Sequence, residues 1–510
     1  MLAKLKSVAL SGIDAQPLDV EVDISQGIPG ITIVGLPDAA VKESKDRVKA
    51  AVNNSSFQFP FKKLTVNLAP ADMRKEGPSF DLPIAIGTLL AAEMFEGNEV
   101  GDYMMVGELS LEGKLRPIKG ALSMAITARQ EGVKGIIVPV DNAKEAAVVE
   151  GIEVIPVNSL LETVDFLSGE KKIIPKTVEQ EDDFVECEDI LDFHDVAGQE
   201  YVKRAMLVAA AGNHNIIMVG PPGSGKTMLS QRLPGILPPM NVQESLNTTR
   251  IYSVAGLVRP GSGLLRTRPF RSPHHSISDV GLIGGGSHPK PGEISLSNNG
   301  VLFLDEIPEF QRRTLEVLRQ PLEDKTITIG RATGSVSYPA NFMLVASMNP
   351  CPCGYFADKK KSCSCTPGQI ERYVNKISGP MMDRIDLHVE VDCLDLEELP
   401  KKNKGPSSKE LREQVLKARE IQRERFDNRE CSLNASMSTR EIKKFCKLKS
   451  EVETLFVSAM KQMGLSARAY HRVIKVARTI ADLDVKKDIN ETHVAEAIGY
   501  RSLDRKLWMP

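Results

Sequence analysis

Eight consecutive residues, Gly220, Pro221, Pro222, Gly223, Ser224, Gly225, Lys226 and Thr227, have the types and spacing needed to cradle a triphosphate. The glycines let successive backbone N–H groups turn inward on phosphate oxygens. Lys226 can then reach the β and γ phosphates, and the Thr227 hydroxyl can sit on Mg²⁺. The apolar run at 215–219 reads as a strand and residues 228–233 as a helix, which is the context a phosphate loop requires. Residues 300–306 give a second buried strand, ending in two carboxylates. Asp305 suits a hydrated Mg²⁺ and Glu306 suits an attacking water. A third apolar strand over 342–348 ends in Asn349, which either hydrogen-bonds the γ-phosphate or the water, or simply closes the strand before Pro350.

Cys351, Cys353, Cys363 and Cys365 make two C-x-C pairs nine residues apart. Four thiolates on one short loop could close a tetrahedral Zn²⁺ site, although C-x-C is tighter than the usual gap; four free thiols are the alternative. Lys359, Lys360 and Lys361, at the tip of that loop, suit a phosphate backbone or plain solvation. Residues 256–300 are glycine-rich and carry Arg266, Arg268, Arg271, His274, His275 and His288. Cationic loops of this kind are expected to face a pore and a phosphate backbone, and the histidine spacing matches no metal site.

The elements that must position these groups belong to a chain of 510 residues, long enough for about two to four domains. Hydrophobic residues make up 42% and charged ones 26%, as in chains that fold around a core. Lys+Arg 65 against Asp+Glu 67 leaves −2, so any nucleic-acid surface must be local. No apolar stretch approaches the roughly eighteen residues of a membrane span, and the N-terminus lacks a signal-peptide core. A cytoplasmic protein without a membrane partner is expected, and a reducing compartment favours a metal over disulfides at the cysteines.

Residues 1–170 alternate strand-like runs at 31–34, 63–68 and 135–138 with helical spacing at 38–52 and 83–94, predicting an α/β or α+β domain. Residues 171–190 collect Glu179, Glu181, Asp182, Asp183, Glu186, Glu188 and Asp189 and read as an acidic linker. The phosphate-loop domain occupies 191–396, with a helix at 201–211, a proline-rich turn at 234–239, a helix at 312–322 and a hairpin at 325–338. After a polar linker at 397–408, helical patterns at 408–426, 438–445, 450–463, 466–483 and 490–498 make the part spanning 397–510 all-α. The expected fold class is α/β: a parallel sheet with flanking helices, an α+β N-terminal domain, and an all-α C-terminal lid.

The stretch 68–85, containing Gly77, Pro78 and Ser79, and the hairpin signal at 107–118 together resemble the Lon-type protease domain, whose fold is related to a domain of ribosomal protein S5. The resemblance matches that family's serine to Ser79 and puts Leu122 where the family has its activating lysine, with Lys119 close but out of register. It implies a protease fold without the activity, serving assembly or nucleic-acid contact. Ser79 is then expected to N-cap the helix over 81–90.

The blocks 195–234, 300–331, 348–354 and 378–387 resemble the YifB/ComM family of magnesium-chelatase-like AAA+ proteins, and the resemblance extends over nearly the whole chain. It implies ATP and Mg as cofactors, held by residues 220–227 and Asp305, with Glu306 as the catalytic carboxylate and Asn349 as the sensor-1 residue. It maps an arginine finger to Arg384, and to Arg468 a sensor-2 residue that reaches the γ-phosphate as the lid closes. Residues 193–200 are expected over the nucleotide base or, through Asp195 or Gln199, as a helix cap. A finger that cannot reach its own site implies a ring, expected to be a homo-hexamer. The resemblance further implies DNA as partner, in branch migration during natural transformation; a protein-remodelling ring or a metal-insertion subunit is the alternative.

Overall fold

The computed structural model describes residues 2–97, 99–177, 191–286, 289–331, 334–356, 358, 361–393, 405–427, 433–464 and 466–501. The acidic run Glu179 to Asp189, His288, Lys359, Lys360 and the linker residues 397–404 lie outside the described residues.

The first unit is built on strands β1 (Leu2–Ser11), β2 (Asp14–Ser25), β3 (Gly30–Val34), β4 (Lys63–Ala69), β5 (Tyr103–Met105), β6 (Gly135–Pro139) and β7 (Glu153–Val157). They form one mixed sheet in the order β3-β4-β2-β1-β5-β6-β7. β1 and β2 pair antiparallel from Leu2 opposite Asp23 to Ser11 opposite Asp14, and alternate residues such as Ala3 and Leu5 point into the core. Helices α1 (Ala39–Asn54) and α2 (Asp81–Ala91) cover one face through Val41, Val48, Leu82 and Ile86. α3 (Ala121–Gln130) covers the other through Leu122, Met124 and Ala128.

A second sheet carries the candidate phosphate loop. Its strands are β8 (Ile216–Val219), β9 (Phe270–Arg271), β10 (Val301–Leu304), β11 (Met343–Met348) and β12 (Leu387–Glu390). All pair parallel, in the order β9-β10-β11-β8-β12. β8 and β10 are wholly apolar and β11 nearly so, because both faces of the sheet are covered. Ile216, Met218, Phe303 and Val345 enter one core, and Ile217, Leu302, Leu304 and Leu344 enter another.

The helices around this sheet are α4 (Glu200–Gly212), α5 (Lys226–Ile236), α6 (Val242–Ala255), α7 (Pro367–Val374), α8 (Ser408–Arg425), α9 (Thr439–Phe445), α10 (Ser450–Met463), α11 (Ala467–Leu483) and α12 (Glu491–Gly499). The described C-terminal residues are all-α, as expected, and they pack on the sheet. Leu411, Val415, Phe456, Val473, Ala477 and Ile480 share one continuous core with Ala205, Leu229, Leu233 and the sheet residues Ile216 and Val345. The helical part is therefore fused to one face of the sheet. The proline-rich turn begins later than expected, because α5 runs through Pro234 to Ile236. Arg412 of α8 donates to the Gly235 carbonyl from Nε at 2.8 Å and Nη2 at 2.6 Å, satisfying an acceptor at the helix end. The helix expected at 312–322 splits into Arg312–Glu316 and Arg319–Asp324.

The two units meet along α6. Arg250 donates to the Ile13 carbonyl, to Asp14 and to Ser123, while Ile13, Ile251, Leu296 and Tyr338 make a small apolar cluster. Ser253 of α6 donates to Glu145, whose pKa is pushed up by burial. Among the described residues no helix is long and apolar enough to cross a membrane.

At the amino edge of the sheet, a buried polar network ties the helical part to the strands. His214 lies 3.3 Å from Asp386 through Nδ1 and 2.8 Å from the Thr479 hydroxyl of α11 through Nε2. The Asn215 amide also donates to Asp386, at 3.2 Å, and Arg472 of α11 pairs with it closely. Burial works against the Asp386 charge, but Arg472 and His214 outweigh it and hold the carboxyl well below the usual range. Because its pKa falls on folding, Asp386 lends stability at neutral pH that is lost only under strongly acid conditions. Asp386→Ala leaves Arg472 unpaired and should cost about 3 kcal/mol in a urea titration. Arg423→Ala, which breaks an exposed i,i+3 pair with Glu420, should stay within about 0.5 kcal/mol of the parent.

Candidate functional site

The loop between β8 and α5 turns on Gly223 and Gly225, whose φ values of +76° and +87° suit residues without a side chain. Both face open space, so the concave side of the loop stays clear. α5 starts at Lys226, and its first-turn N–H groups are free to face an anion. The Lys226 ammonium donates to the Gly220 carbonyl at 2.7 Å and the Pro221 carbonyl at 2.9 Å, and lies 3.3 Å from Asn349 Oδ1. Burial lowers its pKa, with Asp305 opposing. Thr227 Oγ1 donates to Asp305 Oδ2 at 2.9 Å, and the Ser347 hydroxyl donates to the other oxygen.

Glu306 has left-handed backbone, φ +50° and ψ +49°, in a residue with a side chain. Its amide donates to Asp305 Oδ1 and Ser347 Oγ, both at 3.2 Å, while its carboxylate is exposed at the phosphate edge. Such backbone costs about 1–3 kcal/mol and tends to persist at functional sites. The residues fit a triphosphate with a hard divalent cation: inward amides, an ammonium resting on carbonyls, and a hydroxyl beside a carboxylate. The carboxyl ends of β8, β10 and β11 bring Lys226, Thr227, Asp305, Glu306 and Asn349 together. Ser347, which orients both carboxylate residues, escaped sequence reasoning because it looks like one more buried strand residue.

Around the rim, α4 starts without a side-chain cap, so neither expected cap forms. Asp195 pairs with Arg232 at 3.6 Å, and Gln199 donates instead to the Asp392 carbonyl at 2.6 Å, linking the start of α4 to the end of β12. The expectation of pore-facing arginines is also corrected in part. Arg268 is bound to Glu244 and to the Pro238 and Asn299 carbonyls, and Arg271 to Glu293 through both nitrogens at 2.6 and 2.7 Å. These charges are spent inside the fold. The His274 and His275 rings lie 4.0 Å apart on the loop after β9, and Lys361 lies over the Tyr355 ring at 4.7 Å.

Arg384 stands at the amino edge of the sheet, opposite its own phosphate loop. Its carbonyl accepts from Asn215 Nδ2 at 3.0 Å and from Arg472 Nη1 at 3.3 Å. Its guanidinium pairs with Glu323 at 2.5 Å and donates to the Pro380 carbonyl at 2.7 Å, leaving only 12% of the side chain exposed. Glu323 is itself 59% exposed, so water reaches the outer side of the pair. Arg468 sits one turn before Arg472 on α11 and is exposed. It therefore lies on the Arg384 side of the sheet.

Ser79 does not cap a helix. It lies in the turn Pro78–Phe80, and α2 begins after Phe80 with no side-chain cap. With Asp38, Glu76 and Lys119 it lines a cavity of about 1050 Å³ between the two units. Leu122, at the position expected for the activating lysine, is fully buried in the core. The Sγ atoms of Cys351, Cys353, Cys363 and Cys365 all lie within 4.8 Å of one another.

Residues 192–399 match the family described as magnesium chelatase, subunit ChlI; residues 20–142 match subunit ChlI of Mg-chelatase, and residues 405–501 match its C-terminal part. The chain is 45% identical to the competence protein ComM of Haemophilus influenzae, over 99% of this chain and 98% of that one. It is 44% identical to YifB of Escherichia coli, over 98% and 97%. A Lon protease of Halothermothrix orenii is 26% identical over 164 residues, 30% of this chain and 21% of that protein.

Glu306→Gln should retain ATP binding, read with a fluorescent analogue, while phosphate release drops by about 10²-fold or more. Parent-like release from this variant would remove Glu306 from the role of base.

Proposed function

The chain belongs to the YifB/ComM family of magnesium-chelatase-like AAA+ ATPases, and on that premise we propose that it works as a ring, coupling ATP hydrolysis to movement along DNA in branch migration. The observation that carries the ring is the placement of Arg384 and Arg468 on the edge of the sheet opposite Lys226 and Glu306. One protomer then holds the phosphates and a neighbour supplies the charge that completes the site.

Each residue has a definite task in this reading. Lys226 exchanges the Gly220 and Pro221 carbonyls for phosphate oxygens. Thr227 and Asp305 would hold a divalent cation, which would neutralise phosphate charge, and ATP supplies the bond to be broken. Glu306 Oε accepts the proton of the attacking water, and Asn349, held against Lys226, orients that water. Arg384 leaves Glu323 to face the adjacent protomer's site, and Arg468 moves with it through Arg472.

The DNA part rests on the Haemophilus relative, whose name marks it as a competence protein. Arg268 and Arg271 take no part in it, since both are committed to carboxylates. The chelatase match favours a second reading, a metal-insertion subunit, which predicts hydrolysis indifferent to DNA.

The test is ATP hydrolysis and strand separation with forked and four-way DNA. Four-way junctions should stimulate hydrolysis and be unwound, with stimulation weakening by at least tenfold between about 50 and 200 mM salt. Hydrolysis unchanged by any DNA, with no unwinding, would shift the assignment to the chelatase-like or protein-remodelling reading.

A further inference from the structure

We propose that Cys351, Cys353, Cys363 and Cys365 bind one zinc ion that braces Asn349 against the phosphate loop. The inference deepens the ATPase reading and rests on it for the role of Asn349. The thiol geometry is close to that of a filled site. Sγ of Cys351 lies 3.3 Å from Cys353 and 3.7 Å from Cys363, and Cys353 lies 3.6 Å from Cys363. A tetrahedral Zn–S₄ centre with bonds of 2.3 Å has sulfur–sulfur edges of about 3.8 Å. The amide of Cys353 donates to Cys365 Sγ and the amide of Cys365 to Cys363 Sγ, both at 3.4 Å, so backbone dipoles already point at sulfurs that would carry negative charge. All four cysteines are free of disulfides. Binding would take one proton from each thiol.

The position of the cluster gives the ion its role. Cys351 is two residues beyond Asn349 and is buried against Met348, Ile370 and Tyr373. Gly354, at φ +86°, turns the loop so closely onto the phosphate loop that a Cβ there would lie 2.6 Å from Pro222 Cδ. Beyond Cys365, Thr366 is the N-cap of α7, and Tyr373 of that helix belongs to the same buried cluster as Met348 and Cys351. The segment between Asn349 and α7 contains no helix or strand among its described residues, so a metal crosslink at its base is what would hold its two ends in register.

Untagged full-length protein, purified without chelator, should contain one zinc per chain by mass spectrometry. Cys446→Ala, altering a cysteine in the helical part, should contain the same, and the double variant Cys363→Ser with Cys365→Ser should contain none. Removing zinc from the parent with a chelator should lower ATP hydrolysis by at least about tenfold with little change in circular dichroism. Zinc or cobalt should restore it, cobalt showing thiolate charge-transfer bands. A parent chain that takes up no zinc even when incubated with it overturns the site. Zinc that can be removed and restored without changing hydrolysis or ATP affinity overturns the brace. If the loaded parent hydrolysed no ATP, the ATPase reading would fall, and ATP affinity with and without zinc would still decide the brace.

Discussion

An arginine anchored at the amino edge of a parallel sheet cannot touch a phosphate held at the carboxyl edge of the same sheet. Between Asn215, which holds the Arg384 carbonyl, and Gly220 lie the four residues of β8, a rise of about 13 Å. The phosphate loop and its two carboxylates sit at one end of that distance, and Arg384, Arg472 and Arg468 at the other. On the proposed reading, one protomer carries halves of two different sites. Side-by-side packing in the proposed ring would join them, and two resting contacts suit that reading. Lys226 rests on carbonyls that phosphate oxygens can replace, and Arg384 rests on a half-exposed glutamate that a neighbour's site can replace.

The second consequence concerns the helical C-terminal part. Here α8 and α11 share a core with β8 and β11, and the His214, Asp386 and Arg472 network adds a polar lock at the amino edge. Arg472 binds both Asp386 and the Arg384 carbonyl, so a push on α11 is felt two residues from the candidate finger. The N-terminal unit is attached at a different place, through α6, by Arg250 and the buried Glu145. The cavity beside it is lined by Ser79 and Lys119, while Leu122 is buried in the core.

What could be read from sequence followed the range of the interactions involved. The phosphate loop, the strand ending in Asp305 and Glu306, and the strand ending in Asn349 were all visible because each is a contiguous run whose residues work within a few positions of one another. β1 and β2, the longest of the described strands, were legible but not read: Leu18, Val20 and Val22 alternate with Asp19, Glu21 and Asp23, the pattern of a half-buried strand. α6 was hidden although Asn241 and Glu244 spell a capping box, because Val242, Leu246, Ile251 and Val254 make only a sparse apolar stripe among polar residues. The pairing of Arg268 with Glu244, the partner of Arg384 at Glu323, and the side of the sheet on which Arg468 stands all depend on residues far apart in sequence. No local pattern could have announced them.

The most direct measurement is ATP hydrolysis by a mixture of two inactive chains, one carrying Glu306→Gln and the other Arg384→Ala. A site completed by a neighbour predicts that equal mixing restores hydrolysis to about a quarter of the parent rate, because that fraction of random neighbours pairs an intact loop with an intact arginine. A mixture no more active than its separate components, at concentrations where mixed rings are shown to form, would contradict completion of the site across the protomer boundary.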